Sequence, residues 1–206
     1  MKNLIESGSL GEILSLSARF DRLRVKLKDG WRTKEGVMSG VFYDLGPHLF
    51  HYALSLFGLP MSVYCELLSD YRGLKTDDHF EAILYYRDFR VTLGAEQFAR
   101  YPLPKFHIKG RKASYVKKGF DTPEFVVKPP LDDYKNDLFS KLYENDAHQT
   151  RDIPVKSGAH YRWYDDLQTD IEELNLMNNE VTISLDVIKT MEAAIESNKK
   201  ERRISI

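Results

Sequence analysis

Asp44 and His48 stand four residues apart, just ahead of the apolar run from Leu49 to Phe57. Where the chain is helical from Asp44, that spacing projects both side chains the same way. A carboxylate beside an imidazole makes a general-base pair: the carboxylate orients the ring and stabilises its charged form. Plainer readings use the same residues. Asp44 serves as the cap of a helix whose first residue is Pro47, since proline suits the first helical position. His48 is then a polar residue at a helix end. A metal reading adds His51, three residues beyond His48. On a helix His48 and His51 diverge by about 60°, and no third strong ligand is near in sequence.

The element that must hold this pair is the helix itself. Leu49, Ala53, Leu56 and Phe57 recur at three- and four-residue spacing and share one face. Gly58 and Pro60 then stop the helix. Ahead of it, residues 21–40 are polar and irregular, and a loop of that length is usually functional or disordered. Within it Trp31 and Arg32 are adjacent. Together they can stack on and hydrogen-bond a hydroxylated ligand, or Trp31 merely pins the loop beside a solvated arginine.

The totals bound the rest. The chain has 206 residues, 42% hydrophobic and 30% charged, a normal globular mixture with enough length for one sizeable core. The net charge of −1 points to neither nucleic acid nor an anionic membrane surface. The single cysteine, Cys65, sits in an alternating apolar run and reads as core rather than nucleophile. It cannot form an internal disulfide, so a reducing cytoplasm is the expected location. No run approaches the roughly 20 apolar residues of a membrane span, and the first residues lack a signal peptide's apolar centre.

Taken in order, residues 2–7 read as the tail of a helix ended by Gly8, which suggests a chain beginning at a domain boundary. Gly11 to Phe20 alternates as a strand. After the central helix come strands at Ser62 to Leu68, His79 to Tyr86 and Phe89 to Ala95. The last two are close enough to pair as an antiparallel hairpin. Asp77 and Asp78 look like an exposed turn. Lys105 to Gly110 and Ala113 to Gly119 form a further strand pair. Residues 121–133 hold three prolines and read as a surface loop. Helices are expected over Asp132 to Glu144 and Tyr161 to Leu176, the second ended by Asn178 and Asn179. Ile153-Pro154-Val155 reads as a short extended piece. Ser184 is expected to cap a last helix from Leu185 to Asn198, and Arg203 to Ile206 to form a closing strand.

Strands interrupted by a few helices, without regular βαβ alternation, define an α+β class: an open, mostly antiparallel sheet with helices on one face. The other face is then wet or covered by a partner. Tyr64, Tyr85, Phe89 and Phe98 suggest a homodimer packed sheet to sheet. No Gly-x-Gly-x-x-Gly occurs, so no cradle for a dinucleotide's pyrophosphate is visible, and this chain alone is not expected to bind NAD(P).

Tyr43-Asp44-Leu45-Gly46-Pro47-His48, followed by Leu56-Phe57-Gly58-Leu59-Pro60, resembles the hallmark of the Gfo/Idh/MocA oxidoreductases. Thr76-Asp77-Asp78-His79-Phe80 and Ser7-Gly8-Ser9-Leu10-Gly11-Glu12-Ile13 resemble two further segments of that family's C-terminal domain. The nearest likeness is its NADP-type scyllo-inositol dehydrogenase branch. The resemblance runs from Leu4 to Ile206. It implies a single C-terminal domain, residues 1–206, with the dihydrodipicolinate-reductase/glyceraldehyde-phosphate-dehydrogenase-like fold, and a nucleotide-binding Rossmann domain outside this chain. It also implies NAD or NADP in the full-length enzyme and a sugar, inositol or other polyol as substrate. By the same resemblance Asp44 and His48 are catalytic, partnered by a lysine of the other domain. Arg22, Trp31, Arg32 and Tyr164 are then candidate substrate contacts. Lys128-Pro129 resembles a catalytic triplet of the family but lacks its glutamate, and that triplet belongs to the other domain. His160 stands where relatives commonly have a tyrosine, and His51 where many have an aspartate. The rival class is a stand-alone, non-catalytic binding or assembly module. A metal-dependent isomerase or hydrolase built on Asp44, His48 and His51 is the third.

Overall fold

Alternating apolar and polar residues build nine strands among the described residues, all in one sheet. The structure, a computed structural model, describes residues 1–26, 30–36, 38–119, 139–144, 149–154, 164, 167–169, 171 and 178–206. The strands are β1 (Ile13–Arg19), β2 (Ser62–Leu68), β3 (His79–Tyr85), β4 (Arg90–Glu96), β5 (Phe106–Gly110), β6 (Ala113–Lys118), β7 (Phe139–Glu144), β8 (Thr150–Asp152) and β9 (Ile204–Ser205). Their order across the sheet is β8-β7-β6-β5-β1-β4-β3-β2-β9. Only β1 and β4 pair in parallel; the other neighbours are antiparallel. The expected class, an open and mostly antiparallel sheet with helices, is what the chain forms.

Among the described residues the sheet is accompanied by α1 (Lys2–Glu6), α2 (Gly40–Phe57) and α3 (Asn178–Lys200). In β3, Phe80, Ala82 and Leu84 are buried while the intervening residues are not; β4 buries Val91, Leu93 and Ala95, and Gly94 between the last two is buried as well. These side chains meet Phe42, Leu49, Phe50 and Ala53 of α2 in one core. Phe42 is its centre, with its ring edge-to-face against Tyr43, Phe50 and Phe80 at 5.7, 5.9 and 5.2 Å. Gly46 brings α3 close: a Cβ there would sit 3.3 Å from Met191 Cε.

The outer edge of β2 is closed by α3 rather than by a full strand. β9 pairs only with Ser62 and Val63. Further along, the Cys65 and Leu67 N–H groups donate to Ser197 Oγ at 3.1 Å and Asn198 Oδ1 at 2.9 Å. Side chains at the end of a helix thus satisfy an edge that would otherwise attract another strand.

Several expectations need correction. The last helix starts at Asn178, so Asn178 and Asn179 open a helix instead of ending one, and Ser184 lies inside it. Asparagine is favoured at both kinds of boundary, and the sequence gives no direction. Residues 139–144, expected to be helical, form β7. Leu142 pairs with Tyr115 across β6, and Ser140 Oγ lies 2.8 Å from the Tyr115 hydroxyl. An available neighbouring strand overrode a weak helical pattern. Ile153 and Pro154 follow β8, the Ile153 N–H donating to the Ser140 carbonyl of β7 at 2.8 Å, and Val155 lies outside the described residues. The 121–133 loop, Lys128-Pro129 and His160 lie outside the described residues, as does most of the segment from Tyr161 to Leu176, whose described residues are helical.

Candidate active site

Asp44 and His48 both lie inside α2, which begins at Gly40 and runs for 18 residues. Asp44 is therefore no cap, and Pro47 is no first residue. Both stand in mid-helix, on one face, one turn apart. Pro47 sits between them and cannot donate to the carbonyl of Tyr43, so the helical ladder is interrupted at this turn.

What starts the helix is Asp77. Its Oδ2 accepts the Phe42 N–H at 2.6 Å and its main-chain carbonyl accepts the Val41 N–H at 3.0 Å. Gly40, at φ +92°, is required here: a Cβ would fall 1.9 Å from Asp77 Oδ1. Burial pushes the Asp77 carboxyl up from its ordinary range, against the pull of the N–H groups it accepts. Asp78 is equally far from an exposed turn. It is buried, and its two oxygens accept the N–H groups of Asp70 and Tyr71 at 2.9 and 3.0 Å. The sequence misplaced both acids, which hold backbone N–H groups beside the site.

Arg32 reaches Asp44 from the preceding loop. Its Nε lies 2.6 Å from Oδ2 and its Nη2 donates to Oδ1 at 2.8 Å, a two-pronged pairing. The hydrogen bond to Asp44 raises the Arg32 pKa further above its ordinary value. The guanidinium lies 4.6 Å from the centre of the Trp31 ring. The Arg32 carbonyl accepts from the Gly40 N–H at 3.2 Å and from Thr76 Oγ1 at 3.0 Å. The loop is thereby tied to the start of α2 and to the approach to β3. His48 is exposed, and among the described residues no hydrogen bond or ion pair reaches it. His51 lies with Ser55, whose Oγ is 3.4 Å from its ring nitrogens. Among the described residues no three His, Cys, Asp or Glu side chains converge as a metal-ligand set.

The other expected contacts divide. Trp31 and Arg32 come together with Asp44. Arg22 is held by its backbone on the extension of β4, its N–H on the Glu96 carbonyl and its carbonyl on the Ala99 N–H. Tyr164 is helical and exposed, with most of its chain neighbours outside the described residues. Cys65 is buried in the core, where burial pushes its thiol far up.

Does this chain offer a seat for a dinucleotide? A pyrophosphate needs free N–H groups at a helix start. At α2 the Phe42 N–H is taken by the Asp77 carboxylate, whose charge would repel a phosphate, and the Gly40 and Val41 N–H groups by the carbonyls of Arg32 and Asp77. The start of α2 therefore does not fit a pyrophosphate.

Fold and matched residues together define a C-terminal sheet domain of the GFO/IDH/MocA kind. The family model for the GFO/IDH/MocA C-terminal domain matches residues 1–116, and the chain belongs to that family. It is 29% identical over 215 residues to scyllo-inositol 2-dehydrogenase (NADP(+)) IolW of Bacillus subtilis, covering 100% of this chain and 60% of that protein. It is 37% identical over 142 residues to the uncharacterized oxidoreductase YdgJ of Escherichia coli, covering 67% of this chain and 41% of that protein. The solved structure of yvaA from Bacillus subtilis matches with a TM-score of 0.82 at 27% identity, over 100% of this chain and 61% of that one. The chain thus spans less than two thirds of the length of these relatives. Among the described residues no helix is long and apolar enough to cross a membrane.

Proposed function

We propose that this chain is the substrate-binding and assembly half of an NAD(P)-dependent oxidoreductase acting on a hydroxyl of a sugar, inositol or other polyol. One observation carries the reading: an exposed imidazole, His48, stands one helix turn from a carboxylate, Asp44, held in place by Arg32. The likeness to IolW, a scyllo-inositol 2-dehydrogenase (NADP(+)), supports the substrate class and the nucleotide. Oxidation of a secondary alcohol removes a proton from oxygen and a hydride from carbon. The nucleotide, bound by a domain outside these residues, is the hydride acceptor. His48 receives the hydroxyl proton, and Asp44 stabilises the imidazolium that results. Trp31 presents an exposed face suited to the C–H side of a sugar ring, and Arg22 and Tyr164 complete the proposed substrate contacts. A non-catalytic assembly module has no use for this arrangement of Asp44 and His48.

The second half of the reading concerns the sheet face opposite α2. Tyr64 and Tyr85 both lie on it, in register with Ile83 and Ser62 of the neighbouring strands. Phe89 packs against Phe57 and Tyr86, and Phe98, 38% exposed, against Tyr71. A homodimer closed through this face, in a reducing cytoplasm that leaves Cys65 free, is the proposed form. Light scattering that shows only monomer at high micromolar concentration would remove it.

The catalytic half is tested by joining the chain to a nucleotide-binding domain of the family. Polyols are then screened with NAD and NADP. Turnover of at least one polyol, lost in His48→Ala, supports the reading; turnover that survives His48→Ala removes it.

A further inference from the structure

Arg32 is too firmly held to be an ordinary substrate clamp. Two of its nitrogens are spent on Asp44, its carbonyl takes two donors, and its guanidinium lies against Trp31. The two-pronged pairing sets the direction of the Asp44 carboxylate, and with the carboxylate so directed no hydrogen bond runs from Asp44 to His48. The helix nevertheless places the two residues at hydrogen-bonding spacing. We infer that Arg32 is a positioning residue that acts through Asp44: it holds the carboxylate away from His48, and the Asp44–His48 pair forms only when the guanidinium lets go.

This rests on the proposed role of Asp44 and His48 but assigns Arg32 differently, as a residue whose effect passes through Asp44 rather than through substrate. A carboxylate with a free rotamer accepts a hydrogen bond from imidazolium and favours the charged ring. A carboxylate held by an arginine does so less, because its direction and part of its charge are already committed. Half of the Arg32 side chain is exposed, against a fifth of Asp44, so an incoming group reaches the guanidinium first (50% and 20%). Among the described residues, further titratable groups on this side are His51 on α2 and Lys105, whose ammonium lies 5.8 Å from the Tyr52 ring. Both are unchanged in the comparison below and cancel from it.

The test is a double-mutant cycle read on His48 itself, in the full 206-residue chain. The titration midpoint of the His48 ring is followed by NMR, its signal assigned by its loss in His48→Gln. Arg32→Met should raise that midpoint by about half a pH unit or more. In the Asp44→Asn background the same substitution should move it by less than about 0.2 unit. Arg32→Lys, which keeps the charge and loses the two-pronged geometry, should give part of the rise and guards against a failure of Arg32→Met to fold. No rise in either Arg32 variant overturns the inference. So does an equal rise in both backgrounds, which would make Arg32 a bare nearby charge. The readout uses no nucleotide, substrate or turnover, so its failure is separable from a failure of the proposed function.

Discussion

The carboxylate of Asp77 accepts the backbone N–H of Phe42 at 2.6 Å across 35 residues of sequence. Through this contact the helix carrying Asp44 and His48 is suspended from the segment leading into β3. An acid at the positive end of a helix also complements its dipole. Asp77→Ala should therefore lower stability by about 1–2 kcal/mol, and Asp77→Asn, which still accepts the N–H, by less. Urea denaturation followed by circular dichroism measures both. Equal losses would show that the contact does not start the helix.

A second network crosses the face opposite α2. Arg19 Nε donates to Asp21 Oδ2 at 2.8 Å and its Nη1 to Glu81 Oε1 at 2.5 Å. Gly94 makes room for it: a Cβ there would lie 2.7 Å from Arg19 Nη1 and 3.0 Å from Glu81 Oε1. Gly94→Ala should thus destabilise, although alanine normally improves a strand. Combined with Glu81→Gln its cost should be clearly less than the sum of the single costs, because both disturb one ion pair. Additive costs in denaturation experiments would separate Gly94 from the pair.

His79 gives this network a pH dependence. Its Nδ1 lies 3.1 Å from Asp70 Oδ2 and its Nε2 3.4 Å from Glu81 Oε1. The hydrogen bond to Glu81, outweighing partial burial and aided by the charges of Asp70, Glu81 and Glu96, raises the His79 pKa above 6.5. Burial pushes Glu81 up, but His79 and Arg19 together overcome it and leave that carboxyl below 4.5. A raised histidine pKa stabilises the fold fully below 6.5, and the gain is lost as pH rises through the raised value. A lowered glutamate pKa stabilises above 4.5, and that gain is lost as pH falls through the lowered value. The contribution of the pair is greatest between these two pH values. Burial lowers the His107 pKa and works the other way, so the test is a difference: from pH 5.5 to pH 8 the slope of unfolding free energy against pH should be more negative in wild type than in His79→Asn. An unchanged slope would exclude His79 as its source.

How much of this was legible beforehand varied with the kind of pattern. β2 could be read to the residue, because a half-buried strand alternates and its alternation is local. The start of α2 could not. Pro47 read as a first helical residue, and what carries the helix back to Gly40 is remote: the Asp77 carboxylate and the ring of Phe80 against Phe42. The Asp44–His48 spacing was visible because it belongs to one helix. The Arg32–Asp44 pairing was not, since the aim of a loop side chain leaves no periodic trace. β7 was missed for the same reason as Asp77: its partner lies elsewhere in the chain.

Phe42 is where the core and the site meet. Truncation to alanine would empty the space shared by Phe50 and Phe80 and should cost about 3–5 kcal/mol. A loss below about 1 kcal/mol in thermal or chemical unfolding would contradict the packing described.

The most direct test of the central claim is kcat/KM for polyol oxidation by the enzyme made of this chain and its nucleotide-binding domain, measured for wild type and for His48→Asn. Removal of a general base should lower it by about 10²–10⁴-fold, with the unfolding midpoint unchanged. A His48→Asn enzyme within a few-fold of wild type would contradict the assignment of His48 as the residue that takes the hydroxyl proton.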